Sequence, residues 1–117
     1  MFLLSREFSF DAAHRVIDYH GKCENMHGHT YHLVVTITGD LKDDGMVLDF
    51  FILKQIVQDK VISILDHKYL NEMFENPTTE LVAQWIFNTL DNAFREFGCS
   101  VFEIILYEGD NNRVVVR

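Results

Sequence analysis

"HTYHLVVTIT", residues 29–38, is the stretch that decides the fold of this chain. Tyr31, Leu33, Val35 and Ile37 fall on one parity and His32, Thr36 and Thr38 on the other, the alternation of a half-buried strand. Gly39-Asp40 and Asp43-Asp44-Gly45 then mark a turn. Upstream, residues 2–13 alternate in the same way, with Phe2, Leu4, Phe8, Phe10 and Ala12 opposed to Ser5, Glu7, Ser9 and Asp11, and His14 continues the apolar parity. Beyond the turn the period changes. Leu53, Ile56, Val57, Val61, Ile64 and Leu65 follow helical spacing over residues 50–65, and Leu81, Val82, Trp85, Ile86, Leu90, Ala93, Phe94 and Phe97 do so over 78–97. Asn76-Pro77-Thr78-Thr79-Glu80 supplies a capping side chain, a proline suited to a first turn and an acid near the positive end of the helix dipole, and Gly98 ends the helix. Residues 101–108 and 113–117 read as two more strands joined by Gly109-Asp110-Asn111-Asn112. The order ββααββ predicts an α+β fold, an antiparallel four-stranded sheet with two helices on one face.

At 117 residues, 48% of them apolar, the chain is expected to form one domain spanning 1–117. Eighteen acids against ten bases give a formal charge of −8, which argues against nucleic acid as a partner because phosphate contacts need a basic stripe. Met1-Phe2-Leu3-Leu4 is apolar but short, has no basic leader and meets Arg6 and Glu7 at once, so it reads as strand rather than signal peptide. No stretch has the length and apolarity of a membrane span. The two cysteines, Cys23 and Cys99, sit in unlike settings, so a reducing compartment, the cytoplasm, is expected.

The chemistry concentrates in "GKCENMHGHTYH", residues 21–32. In extended backbone His27 and His29 present their imidazoles to one side, with Gly28 between them. His14 reaches the same place if the first two strands pair as a hairpin, which makes three histidines. Three ligands with an open fourth position describe a catalytic zinc; a fourth ligand such as Cys23 would describe a structural one, and isolated histidines on a strand are more often plain hydrogen-bonding residues. Asp66-His67 puts a carboxylate beside an imidazole just past a helix, either as a solvated loop or as a proton relay. Glu108 shares the parity of Phe102, Ile104 and Leu106, so a carboxylate ends an otherwise apolar strand face. Backbone amides or a neighbouring basic residue could satisfy it, or a ligand edge with two parallel N–H donors such as a guanine-like or pterin ring. Cys99 reads as a small buried hydrophobe, while His20 and His32 fall on a loop and on the opposite strand face.

Phe10-Asp11-Ala12-Ala13-His14-Arg15, Cys23-x-x-x-His27-Gly28-His29, Leu65-Asp66-His67-x-x-Leu70-Asn71, Asn76-Pro77-Thr78-Thr79-Glu80 and Glu108 occur in this order across almost the whole chain. Together they resemble the 6-pyruvoyltetrahydropterin synthase superfamily. The three-residue gap between Cys23 and His27 resembles its queuosine-pathway branch, the 6-carboxy-5,6,7,8-tetrahydropterin synthases; Gly109 departs from the threonine common after the glutamate.

The resemblance implies a small tunnelling fold, assembled as a homohexamer of two trimers with active sites at subunit borders. It implies a Zn2+ ion on His14, His27 and His29, and 7,8-dihydroneopterin triphosphate as the small-molecule substrate. Cys23 would be the general base, Asp66 and His67 the relay, and Glu108 the acceptor for the pterin ring, with Thr78, Thr79 and Glu80 beside it. The products would be 6-carboxy-5,6,7,8-tetrahydropterin, acetaldehyde and triphosphate. The alternatives are the pyruvoyl branch, which eliminates triphosphate without the carbon–carbon cleavage, and a zinc- and pterin-binding module without catalysis. Arg15, Lys22, Lys54 and Lys68 lie near these residues in sequence and offer local positive charge for a triphosphate on an acidic protein.

Overall fold

The computed structural model describes residues 1–16 and 25–117. Strand β1, Phe2–His14, and strand β2, His27–Gly39, form the predicted antiparallel hairpin, in register from Phe2 opposite Gly39 to His14 opposite His27. Burial follows the parity read from the sequence: Phe8, Phe10, Ala12 and His14 on β1 and Tyr31, Leu33, Val35 and Ile37 on β2 are all buried. Strand β4, Cys99–Glu108, lies antiparallel to β2, and β5, Asn112–Val116, antiparallel to β4.

The sheet has five strands rather than the four expected, with β3 at Lys68–Tyr69, in the order β3-β1-β2-β4-β5, and it is mixed. The addition is β3, Lys68–Tyr69, which runs parallel to β1 at Ala12 and Ala13. Two residues carry no periodicity, so only the tertiary approach of the segment to the β1 edge reveals this strand. A second correction concerns β4. Its pairing with β2 shifts between Thr36 and Ile37, so that Glu103 faces Thr36 and Val101 faces Ile37, leaving Phe102 as the extra residue of a bulge. Val101, not Phe102, therefore joins Ile104 and Leu106 in the core, and the strict alternation expected from Phe102 to Glu108 holds only from Ile104 onward.

The first helical stretch runs as α1, Phe50–Val57, a wider π turn at Gln58–Ile62, and a final turn α2, Ser63–Leu65. Its start is capped by Asp49, whose Oδ1 accepts from the Phe51 amide at 2.8 Å. Helix α3 spans Thr79–Arg95, and Gly98 at φ 72° carries the chain out of it through a conformation that costs a glycine little. Leu53, Val57, Val61 and Leu65 from the first helical stretch and Val82, Ile86, Leu90 and Phe94 from α3 pack with the inner face of the sheet in one apolar core. Cys99 sits buried at its margin, as the sequence predicts, and burial raises its thiol above the usual range. Among the described residues, no helix is long and apolar enough to cross a membrane.

Phe94 is fully enclosed whereas Phe97, one turn later, is 38% exposed. Phe94→Ala is expected to lower stability by about 3–5 kcal/mol, read from denaturant midpoints, while Phe97→Ala costs about 1 kcal/mol or less.

Candidate active site

The hairpin register brings the three histidines together. His14, 2% exposed, ends β1 opposite His27, and His29 stands opposite Ala12, so all three rings lie on the core-facing side at one end of the sheet. Glu108, at the end of β4 and paired with Tyr31, brings its carboxylate to the same point. The ligand atoms of His14, His27, His29 and Glu108 all lie within 4.8 Å of one another. Gly28 faces the other side of the sheet, where an added Cβ would meet only the Ala12 carbonyl at 3.9 Å, so the spacing of the histidine pair comes from strand geometry and not from the glycine.

The hydrogen bonds behind the rings determine what they offer in front. His14 Nδ1 donates to the Pro77 carbonyl at 2.9 Å, and His27 Nδ1 to the Asn25 carbonyl at 2.9 Å. A proton held on Nδ1 leaves the lone pair on Nε2. The two Nε2 atoms nevertheless sit 3.1 Å apart, and Glu108 Oε1 lies 2.9 Å from His14 Nε2 and 3.3 Å from His29 Nε2. Two lone pairs and a carboxylate oxygen converging in a mostly buried pocket repel one another unless positive charge is placed among them. A divalent cation meets that need, and imidazole nitrogens backed by carbonyls are its usual ligands. The donor set therefore fits a metal ion. Beneath it, Tyr31 stacks on Phe10 with ring centroids 5.1 Å apart and places its hydroxyl 3.4 Å from His14 Nδ1. Burial, reinforced by the Glu108 carboxylate, pushes the Tyr31 phenol well above its ordinary value, so it remains protonated.

Asp66 and His67 form a second group at the outer edge of β1. Asp66 Oδ1 accepts from the Asp11 amide at 3.0 Å, and the His67 amide donates to the Asp11 carbonyl at 2.7 Å. His67 adopts φ 59°, a left-handed conformation that costs a non-glycine residue about 1–2 kcal/mol. Its Nδ1 donates to Asp66 Oδ2 at 3.0 Å, which leaves Nε2 as the nitrogen open to exchange a proton, on a ring that is 78% exposed. The Asp11 amide, then His67, hold the Asp66 carboxyl below its ordinary value of 3.8.

The two groups border one opening. A cleft of about 550 Å3 is lined by Asp11, Gly28, His29, Thr30, His67 and Lys68 among others, so a histidine from each group faces it. A depression of about 520 Å3 elsewhere on the sheet, lined by Glu7, Ser9, His32 and Tyr107 among others, touches none of the predicted site residues.

The other predicted residues divide. Thr78 caps α3, its Oγ1 accepting from the Leu81 amide at 3.2 Å; Thr79 and Glu80 form the first turn behind it, Glu80 exposed. That segment meets the histidines through the Pro77 carbonyl. Arg15 is exposed, and its backbone is clamped by Asn71, whose Oδ1 accepts from Arg15 N and whose Nδ2 donates to Arg15 O, both at 2.8 Å. Asn71 belongs to the quoted Leu65–Asn71 motif, but its role emerges only from this long-range pairing. Cys23, together with His20 and Lys22, lies outside the described residues. Reading the sequence alone missed that Glu108 stands against the histidines, and it missed Asp11 as the dock for Asp66 and His67.

A family model described as 6-pyruvoyl tetrahydropterin synthase matches residues 3–117, and the chain belongs to this family of pterin synthases. It is 42% identical over 100 residues, 80% of this chain and 78% of the relative, to a Synechocystis protein named 6-carboxy-5,6,7,8-tetrahydropterin synthase. It is 49% identical over 79 residues, 67% of this chain and 65% of the relative, to the dihydroneopterin monophosphate aldolase of Pyrococcus furiosus. The 6-pyruvoyl tetrahydropterin synthase structure from Caenorhabditis elegans superposes with a TM-score of 0.84 at 27% identity, covering 99% of this chain and 94% of that one. The fold is the tunnelling fold of these synthases, as the sequence motifs imply.

A depressed carboxyl stabilises the folded state above its unfolded pKa and loses that contribution as pH falls through the folded value. Asp66→Asn is therefore expected to be less stable than the parent near neutral pH, and the gap should close below about pH 4. Thermal midpoints collected from pH 3 to pH 7 read this directly.

Proposed function

We propose that the protein converts 7,8-dihydroneopterin triphosphate to 6-carboxy-5,6,7,8-tetrahydropterin, releasing acetaldehyde and triphosphate, with a zinc ion held by His14, His27 and His29. The observation that carries this reading is the convergence of three imidazoles, two of them backed by carbonyls, on a pocket that requires positive charge. The short spacing from Cys23 to His27 and the likeness to a 6-carboxytetrahydropterin synthase support the carboxy branch. When bound, the ion would act as a Lewis acid on the hydroxyl and carbonyl oxygens of the substrate side chain.

The chain's own residues do the rest. The Pro77 and Asn25 carbonyls keep the protons of His14 and His27 on Nδ1 and so aim their Nε2 atoms into the pocket. Glu108 contributes a carboxylate that accepts the paired N–H donors of the pterin ring, and Thr78, Thr79 and Glu80 border the segment that carries Pro77. Cys23 removes a proton from the side chain as its thiolate. His67, held in one tautomer by Asp66, exchanges protons at Nε2 across the cleft that His29 also lines. Arg15 and Lys68, with Lys22 and Lys54, provide the cations for the triphosphate.

A homohexamer of two trimers in the cytoplasm fits these features. β3 covers β1 only at Ala12 and Ala13, and β5 forms the opposite border of the sheet, so both edges offer backbone donors and acceptors to another copy. The exposed ring of His67 then finds its enclosure at a subunit border.

The likeness to a dihydroneopterin monophosphate aldolase supports a second reading, aldol cleavage of a monophosphate. Incubation of the zinc-loaded protein with 7,8-dihydroneopterin triphosphate, with acetaldehyde and pterin assayed by mass spectrometry, separates the readings. Acetaldehyde with the 6-carboxy product is expected. A 6-pyruvoyl product without acetaldehyde assigns the pyruvoyl branch, turnover of the monophosphate alone assigns the aldolase, and no turnover of either leaves a zinc- and pterin-binding module.

Metal content tests the ligand set independently. His14→Ala, His27→Ala and His29→Ala should each lower zinc affinity at least about tenfold, measured by chelator competition. Cys23→Ala and Glu108→Gln should retain zinc, the former losing turnover and the latter raising KM.

A further inference from the structure

We propose that Asp11, steadied by Thr30, is a positioning residue for the Asp66–His67 pair, a role that rests on the relay reading above. Asp11 meets the pair in three ways. Its amide donates to Asp66 Oδ1 at 3.0 Å, its carbonyl accepts from the His67 amide at 2.7 Å, and its carboxylate lies within 4.8 Å of a carboxylate oxygen of Asp66 and a ring nitrogen of His67. The two backbone contacts come from one residue because the N–H and C=O of a strand residue point to the same edge. They seat the left-handed turn at His67 against the end of β1, immediately before the parallel pairing of Lys68 with Ala12.

The side chain is aimed as well. Thr30, opposite Asp11 in the β1–β2 register, donates its Oγ1 hydrogen to Asp11 Oδ1 at 2.6 Å. With one carboxylate oxygen engaged, the group is held on the face where it borders the same cleft as His67. His67 is then flanked by two carboxylates with different tasks. Asp66 fixes the tautomer through Nδ1, and Asp11 places a second carboxylate beside the pair. The titratable and charged groups near the pair are Asp11 on β1, and, lining the same cleft, Lys68 and Tyr69 on its own segment and His29 on β2.

The test uses zinc-loaded protein with labelled histidine, the His67 resonance being assigned by its loss in His67→Gln. Asp11→Asn should loosen the Asp66–His67 pair, so that the ring nitrogen shifts of His67 move from those of a single Nδ1–H tautomer towards the average of the two. In the turnover assay kcat should fall about tenfold with KM and zinc content unchanged. Thr30→Val should shift both readouts in the same direction by a smaller amount, and Thr30→Ser should restore them. If Asp11→Asn fails to fold, the Thr30 pair carries the test. A His67 tautomer balance identical to the parent in these variants overturns the proposal. A shifted tautomer balance in a protein that turns over no pterin upholds the positioning role and overturns the functional reading instead.

Discussion

His14 opposite His27, and Ala12 opposite His29, depend on a single register between β1 and β2. Because side chains alternate between faces, a slip of one residue would turn the second strand's histidines away from His14 and expose Tyr31, Leu33, Val35 and Ile37 at the same time. Burial of those four side chains, all fully enclosed, therefore holds the register. The hydrophobic core and the histidine group are two results of one alignment. This explains how a site rich in polar atoms persists at the end of an apolar sheet face without its own scaffold.

The same alignment places the costs. His14 is buried at the end of β1 with its Nε2 facing His27 and Glu108, and the Pro77 carbonyl just ahead of α3 receives the proton of its Nδ1. Proline lacks an amide hydrogen, but its carbonyl is available, and Thr78 next to it caps the helix so that the carbonyl is held in place. Charge is balanced in a different manner at the β1 edge. There a left-handed residue, two carboxylates and an exposed imidazole are pinned by the backbone of Asp11, with strain at His67 offset by a short backbone hydrogen bond. The two groups differ in solvent access, one shielded and one open, and the cleft between them is bordered by both.

Long elements were legible because they repeat a period. Both helices, both strands of the hairpin and the two C-terminal strands appear where alternation or helical spacing places them, and Gly98 ends the second helix as its chemistry requires, whereas the cap falls on Thr78 and Pro77 stands before it rather than in the first turn. The bulge at Phe102 was not, since an extra residue in one strand is defined only by its partner's register. Nor was β3, whose two residues acquire strand character from β1 alone. The π turn within the first helix leaves the apolar stripe nearly intact and so passes unseen in the pattern.

The site divides along the same line. His-Gly-His at strand spacing and an in-parity His14 were readable from sequence, because a strand's period of two is a local property of the backbone. Glu108 against the histidines, Asn71 on the Arg15 backbone and Asp11 beneath Asp66 and His67 are contacts between residues 55 to 94 positions apart, or between strands whose order no local pattern reports. The sequence by itself determined which residues share a face, through periodicity. Only the tertiary structure decided which faces and edges meet, because that depends on how the strands order and on where the chain is packed back against them.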